Sequence, residues 1–199
     1  MQFRDFFRLI TEKRPSPRVE FEMLRDLVTL HHFGVGKVTV KYFPDFDGAQ
    51  LGNFIWLEQE RTSPYEEPFN DAMIFVNNKV KEPALRRFIA AKELMHVFDS
   101  AVQRTDTRVK FEQLLEEIGS MPIRGDMSEG FTADREALWK AVLCLIPPWI
   151  RDEHKSDWGQ TLTAPELAGR LVLPMEIVEA AMGSYYDRMF ERFLGEGHP

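Results

Sequence analysis

Lys92, Glu93 and His96 stand in the run Lys92-Glu93-Leu94-Met95-His96. Residues four apart share a helix face, so Lys92 and His96 lie one turn apart with Glu93 beside them. This is the spacing of HExxH, in which two neutral imidazoles bind zinc, a third ligand comes from elsewhere, and the glutamate takes a proton from the bound water. Here a lysine fills the first ligand position. A protonated ammonium has no lone pair to offer a metal, and acidic neighbours favour its charged form. The expected zinc site is one ligand short.

Helix logic supplies a third candidate. Glu136 lies in ADREALWKAVLCLIP, where Ala137, Ala141, Leu143 and Cys144 offer small or apolar contacts to a neighbouring helix. A carboxylate buried among such residues needs a compensating partner. Lys92 is the expected partner, and a Lys92 to Glu136 pair would replace metal coordination with a salt bridge. Asp99, three residues beyond His96, and Asp134, two before Glu136, are the substitutes from which a rearranged carboxylate-rich site would be built around His96. The plainer role for Asp99 is a hydrogen bond to His96.

Other residues capable of chemistry have simpler roles. His154 in RDEHKSDW reads as a surface histidine. His31 and His32 end a helix, where exposed carbonyls favour histidine. Cys144 is the only cysteine and sits in an apolar run, so neither disulfides nor zinc thiolates organise the fold. Trp56, Trp139, Trp149 and Trp158 read as packing residues. The sequence contains no GxSxG elbow, no GxxxxGK loop and no dinucleotide glycine fingerprint.

The elements that must position these residues are legible in outline. Val19 to His32 reads as an amphipathic helix with Phe21, Leu24, Leu27 and Val28 on its apolar stripe. GKVTVKYF, NFIWLEQE and DAMIFVN read as three strands. A DFDGAQLG turn separates the first two, and the proline-broken ERTSPYEEPFND forms an exposed loop between the last two. A long helix is expected from Pro83 through His96. KFEQLLEEIG suggests another helix, MPIRGDMSEGF a turn-rich connection, and ADREALWKAVLCLI a helix that Pro147 and Pro148 end. TAPELAGRLVLPMEIVEAAM and YYDRMFERFLG read as helical again.

The order and spacing of these pieces resemble the ImmA/IrrE family of zinc metallopeptidase-like domains. The stretch Arg87, Phe88, Ala91, Lys92, Glu93, Leu94, Met95 and His96 is similar to the family's zinc helix. Glu136, Ala137 and the aliphatic run ending at Pro147 are similar to its second signature. The match covers roughly residues 19–182, and DAMIFVNN resembles the family's edge strand. The resemblance implies an α+β, zincin-like metallopeptidase fold, with a small three-stranded sheet packed on helices and a C-terminal helical segment. It implies a metallopeptidase-like domain over 1–150 with a helical extension over 151–199 packed on it. By the same comparison Glu93 matches the general base, His96 and Glu136 match metal ligands, and Lys92 departs from the pattern.

Function follows as an expectation. Loss of a ligand leaves a catalytically degenerate domain without cofactor that acts by protein binding, its cleft and edge strand open to an extended peptide. The family's protein substrates imply a partner such as a transcriptional repressor of a mobile element or stress response. The alternatives are an active zinc-dependent peptidase with an altered site and a structural subunit of a complex.

The formal charge of -7, from 25 lysines and arginines against 32 aspartates and glutamates, argues against direct nucleic-acid contact. The basic group Lys79, Lys81, Arg86, Arg87 and Lys92 is the local exception. PMEIVEAAM, the second half of a helix–turn–helix-like spacing, carries two glutamates and no lysine or arginine. The apolar runs fall short of the ~20 residues needed to span a bilayer, and the charged N-terminus is unlike a secretory signal, so a cytoplasmic protein without membrane partners is expected.

Overall fold

The computed structural model of the chain describes residues 1–43, 51–58, 70–99 and 129–195. KFEQLLEEIG lies outside the described residues, as do most of DFDGAQLG, ERTSPYEEPFND and MPIRGDMSEGF. The described residues form an α+β fold of eight α-helices and a three-stranded mixed sheet.

Helix α1 (Phe3–Lys13) buries Phe3, Phe6, Phe7 and Ile10, one face at helical spacing. Helix α2 (Phe21–His31) buries the expected stripe of Phe21, Leu24, Leu27 and Val28. The strands are β1 (Val35–Phe43), β2 (Gly52–Glu58) and β3 (Asn70–Asn77), in the spatial order β1-β3-β2. Strand β3 runs parallel to β1 and antiparallel to β2. DAMIFVNN therefore forms the centre of the sheet and not its edge, correcting the expectation. Its backbone groups are shared with two neighbours, so the strand open to a partner must be β1 or β2.

Cross-strand registers fix which side chains share a face. Val38, Ala72 and Trp56 align across the three strands, as do Val40, Ile74 and Phe54, then Tyr42, Val76 and Gly52. Ala72, Ile74 and Val76 are buried on that face, against which helix α3 (Pro83–Leu94) packs. Pro83 opens α3, where its fixed φ suits the first turn and its missing N–H costs nothing. Every residue from Phe88 to Leu94 is buried, because the sheet covers one side of α3 and helix α4 (Glu129–Leu145) another. The helix does not continue through His96 as expected. It tightens after Leu94 into a 3-10 turn, Met95–Phe98, that carries His96.

Pro147 and Pro148 end α4, and Pro148 at once begins helix α5 (Pro148–Lys155). Helix α6 (Ala164–Leu171) is opened by a capping box in which Glu166 Oε2 accepts from Thr163 N at 2.8 Å and from Thr163 Oγ1 at 2.7 Å. Helices α7 (Met175–Met182) and α8 (Tyr185–Leu194) complete the described chain. One hydrophobic core runs from Phe3 of α1 to Met189 of α8, so the C-terminal helices share the interior with the sheet and α3. No helix among the described residues is long and apolar enough to cross a membrane.

Arg87 locks α3 into this frame. Its guanidinium donates to the carbonyls of Leu171 at 2.7 Å and Val172 at 2.9 Å, and to that of Val19. It thereby caps the carbonyl end of α6 and ties down the chain entering α2. A lysine has one donor centre and does not reproduce that fork. Arg87→Lys is expected to lower stability by about 2 kcal/mol, the scale of lost charge-assisted hydrogen bonds, in urea unfolding. A loss below a few tenths would show that the fork is dispensable.

Candidate functional site

The Lys92 Nζ lies 3.1 Å from Glu93 Oε1 and in direct contact with Asp134 Oδ1. Asp134, on α4, also lies 3.3 Å from His96 Nε2. The other ring nitrogen, Nδ1, is 2.5 Å from Asp99 Oδ2, the plainer of the two roles foreseen for Asp99. Asp99 Oδ1 in turn faces Lys140 Nζ at 3.5 Å. Three carboxylates, Glu93, Asp99 and Asp134, thus alternate with Lys92, His96 and Lys140. Lys92 is 6 % exposed, Glu93 4 % and Asp99 5 %, so these charges exist in the interior only because each has a partner.

The sequence led to the wrong carboxylate on α4. Glu136 does not meet Lys92: Arg192 of α8 holds it at 2.9 Å, and Lys140 lies 3.9 Å away. Side chains two apart on a helix point in divergent directions, so when Asp134 faces α3, Glu136 faces α8. Asp134 is therefore the residue that closes the site, and Glu136 belongs to an ion pair on its rim.

Burial opposes a charge on Lys92, yet Glu93 and Asp134 outweigh it and hold the ammonium up at about 12. The His96 imidazole follows the same logic. Burial would lower it, but its hydrogen bonds to Asp134 and Asp99 lift it to about 9. Burial tends to raise Asp134, and the hydrogen bond and charge of His96 with the charge of Lys92 bring it below the usual carboxylate range. The raised imidazole of His96 is protonated at neutral pH. His96 is then a cation with both ring nitrogens protonated, unlike the neutral imidazole a metal requires.

This donor set does not fit zinc. The oxygens of Glu93 and Asp134 nearest the centre already face an ammonium, and His96 directs both nitrogens at carboxylates. Among the described residues no three histidine, cysteine or acidic side chains are grouped so as to hold a metal ion.

Strand β2 passes alongside the cluster. The Phe54 ring lies 6.0 Å from the His96 ring and 5.1 Å from Trp56. Gly52 lets the strand approach closely: a Cβ there would lie 2.5 Å from Ile89 Cγ2, 2.8 Å from Glu93 Oε1 and 2.9 Å from Glu93 Cγ. Gly52→Ala must push β2 away from α3 or displace both Ile89 and Glu93. We expect it to destabilise by about 1 to 3 kcal/mol, the usual cost of overpacking, in urea unfolding. An unchanged midpoint would mean that the strand yields freely.

The remaining candidates lie elsewhere. His154 is on α5, His31 is exposed at the end of α2, and His32 accepts from Gly34 N at 3.2 Å. Cys144 is buried, its Sγ 4.0 Å from Met95 Sδ, and burial pushes its thiol up. Of the basic group, Arg87 is committed to carbonyls and Lys92 to carboxylates, while Arg86 donates to Val80 O and lies over Tyr42. Sequence reasoning missed Lys140 and Arg192 as participants, although Lys140 stands four residues from Glu136, one helical turn away. The chain matches no family model, no curated protein and no solved structure.

Proposed function

We propose that the chain is a catalytically degenerate metallopeptidase-like domain, zincin-like in fold, that binds another protein by taking an extended segment along β2. The observation that carries this reading is the contrast between the two edges of the sheet. Natural sheets blunt an exposed edge with charge, proline or a bulge. Strand β1 has such devices: Lys37 and Lys41 are exposed, and its register with β3 shifts between Val35 and Val38. Strand β2 has none from Gly52 to Leu57. It pairs with β3 in an unbroken register, and its other side has no strand partner among the described residues. Strand addition uses such an edge, with backbone hydrogen bonds giving affinity and alternate side chains giving specificity. Phe54, partly buried beside His96, offers an aromatic surface for one of those alternate positions.

The resemblance to the ImmA/IrrE family supplies the rest. Its strand, zinc helix and second signature correspond in order to β3, α3 and α4. A protein partner such as a transcriptional repressor is the occupant that resemblance favours. With Glu93 bound to Lys92, the base that would activate water is held by a cation of the chain itself, so binding without hydrolysis is the outcome expected.

Two measurements test the proposal. Metal per chain, determined after purification without chelator, is expected to be well below one in the wild type. Peptides selected from a random display library are expected to bind the wild type intact and to lose at least about tenfold in affinity, some 1.4 kcal/mol, on Phe54→Ala with the fold preserved by circular dichroism. One tightly held zinc per chain with peptide cleavage would replace this reading by the peptidase. Equal binding by Phe54→Ala would remove β2 as the docking edge.

A further inference from the structure

The centre of the cluster is shaped for one kind of ion. Lys92 Nζ touches Asp134 Oδ1 of α4 and lies 3.1 Å from Glu93 Oε1 of α3, while His96 closes the pocket 3.3 Å from the same Asp134 oxygen and 3.8 Å from Glu93 Oε2. We propose that Glu93 and Asp134 form a binding site for a primary ammonium group, with His96 holding Asp134 in place, and that the chain fills it permanently with Lys92.

An ammonium is a compact cation with three donors and no acceptor. The two carboxylate oxygens around it are acceptors supplied by different helices, so one group bonds both and ties α3 to α4. A quaternary ammonium carries the charge but no N–H, and a divalent metal needs more oxygen or nitrogen donors than the pocket turns inward. The protein therefore carries its own substitute for an exchangeable cation. Its site is filled whatever the metal supply, and neither chelator nor added zinc is expected to change its melting temperature. The inference stands on the pocket alone and does not depend on a partner taking up β2.

Removing the tethered ligand should expose the site to free ions. Lys92→Ala is expected to melt below the wild type and to regain stability with ethylammonium chloride in a saturable manner. Tetramethylammonium chloride and sodium chloride at equal ionic strength should give no such gain, and the wild type should respond to none of the three. Equal effects of ethylammonium and tetramethylammonium, or a Lys92→Ala variant as stable as the wild type, would overturn the proposal. So would uptake of one zinc per chain with a larger rise in melting temperature, which would make the pocket a metal site that the lysine blocks. Should Lys92→Ala not fold, Lys92→Met combined with Asp134→Asn tests the same pairing. The double variant, with both charges gone, is expected to fold better than Lys92→Met alone, and a double variant no better would equally refute the pairing.

Discussion

Asp134→Ala is expected to cost about 3 to 5 kcal/mol of folding stability at neutral pH, the scale seen when one member of a buried ion pair is removed. Asp134 touches Lys92 Nζ and lies 3.3 Å from His96 Nε2, so its loss leaves two buried cations short of a shared anion. Neither cation can turn to water, because Lys92 is 6 % exposed and the His96 side chain 16 %. Glu136→Ala is the informative control, since its partner Arg192 is 40 % exposed at the side chain. Exposed pairs contribute about 0 to 1 kcal/mol, so the control should lose far less. Urea unfolding of both variants beside the wild type measures the difference. If Glu136→Ala proved the more damaging, the carboxylate named from the sequence would be the one on which the site depends.

The reason that the sequence favoured Glu136 lies in the packing of α4. Residues Ala137 to Leu145 are all buried, so the helix has no wet face from which to tell which side looks at α3. Amphipathic spacing orients a helix only when one side meets solvent. Asp134 and Glu136 are then equivalent by composition, and the choice rests on α8 bringing Arg192 to one of them. Lys92, Glu93 and His96 were legible because their spacing is local, and a four-residue step survived even though His96 sits in a 3-10 turn.

Strand order shows the same division. Alternation in β3 exposes a period of two, with Ala72, Ile74 and Val76 buried on one face, and all three strands could be read that way. Whether β3 lies at the edge or the centre depends on pairing with β1 and β2, a non-local outcome that its own residues do not encode. Helix α1 was missed, although Phe3, Phe6, Phe7 and Ile10 mark its buried face at helical spacing and the charges interspersed among them form its outer one. Read only as evidence against a secretory signal, those charges conceal the helix.

Stability should also fall as pH rises through the titration of His96. The folded-state value of about 9 lies above the ordinary 6.5, so the folded protein holds this proton more tightly than the unfolded chain. The contribution is fully present below the unfolded value and is lost as pH rises through the folded one. A shift of this size corresponds to about 3 kcal/mol, at 1.36 kcal/mol per pKa unit. Lys92 is raised from 10.5 to about 12, so its own contribution begins to fade only above this window. Urea unfolding at intervals from about pH 6 to pH 10 should therefore show the wild type losing stability relative to His96→Gln, which cannot titrate there. Asp99→Asn should shrink that loss, because one of the two carboxylates holding the imidazolium is gone. A constant difference between wild type and His96→Gln across the series would mean that His96 is not a cation in the folded protein. The pairing of Asp134 between Lys92 and His96 would then need to be redrawn.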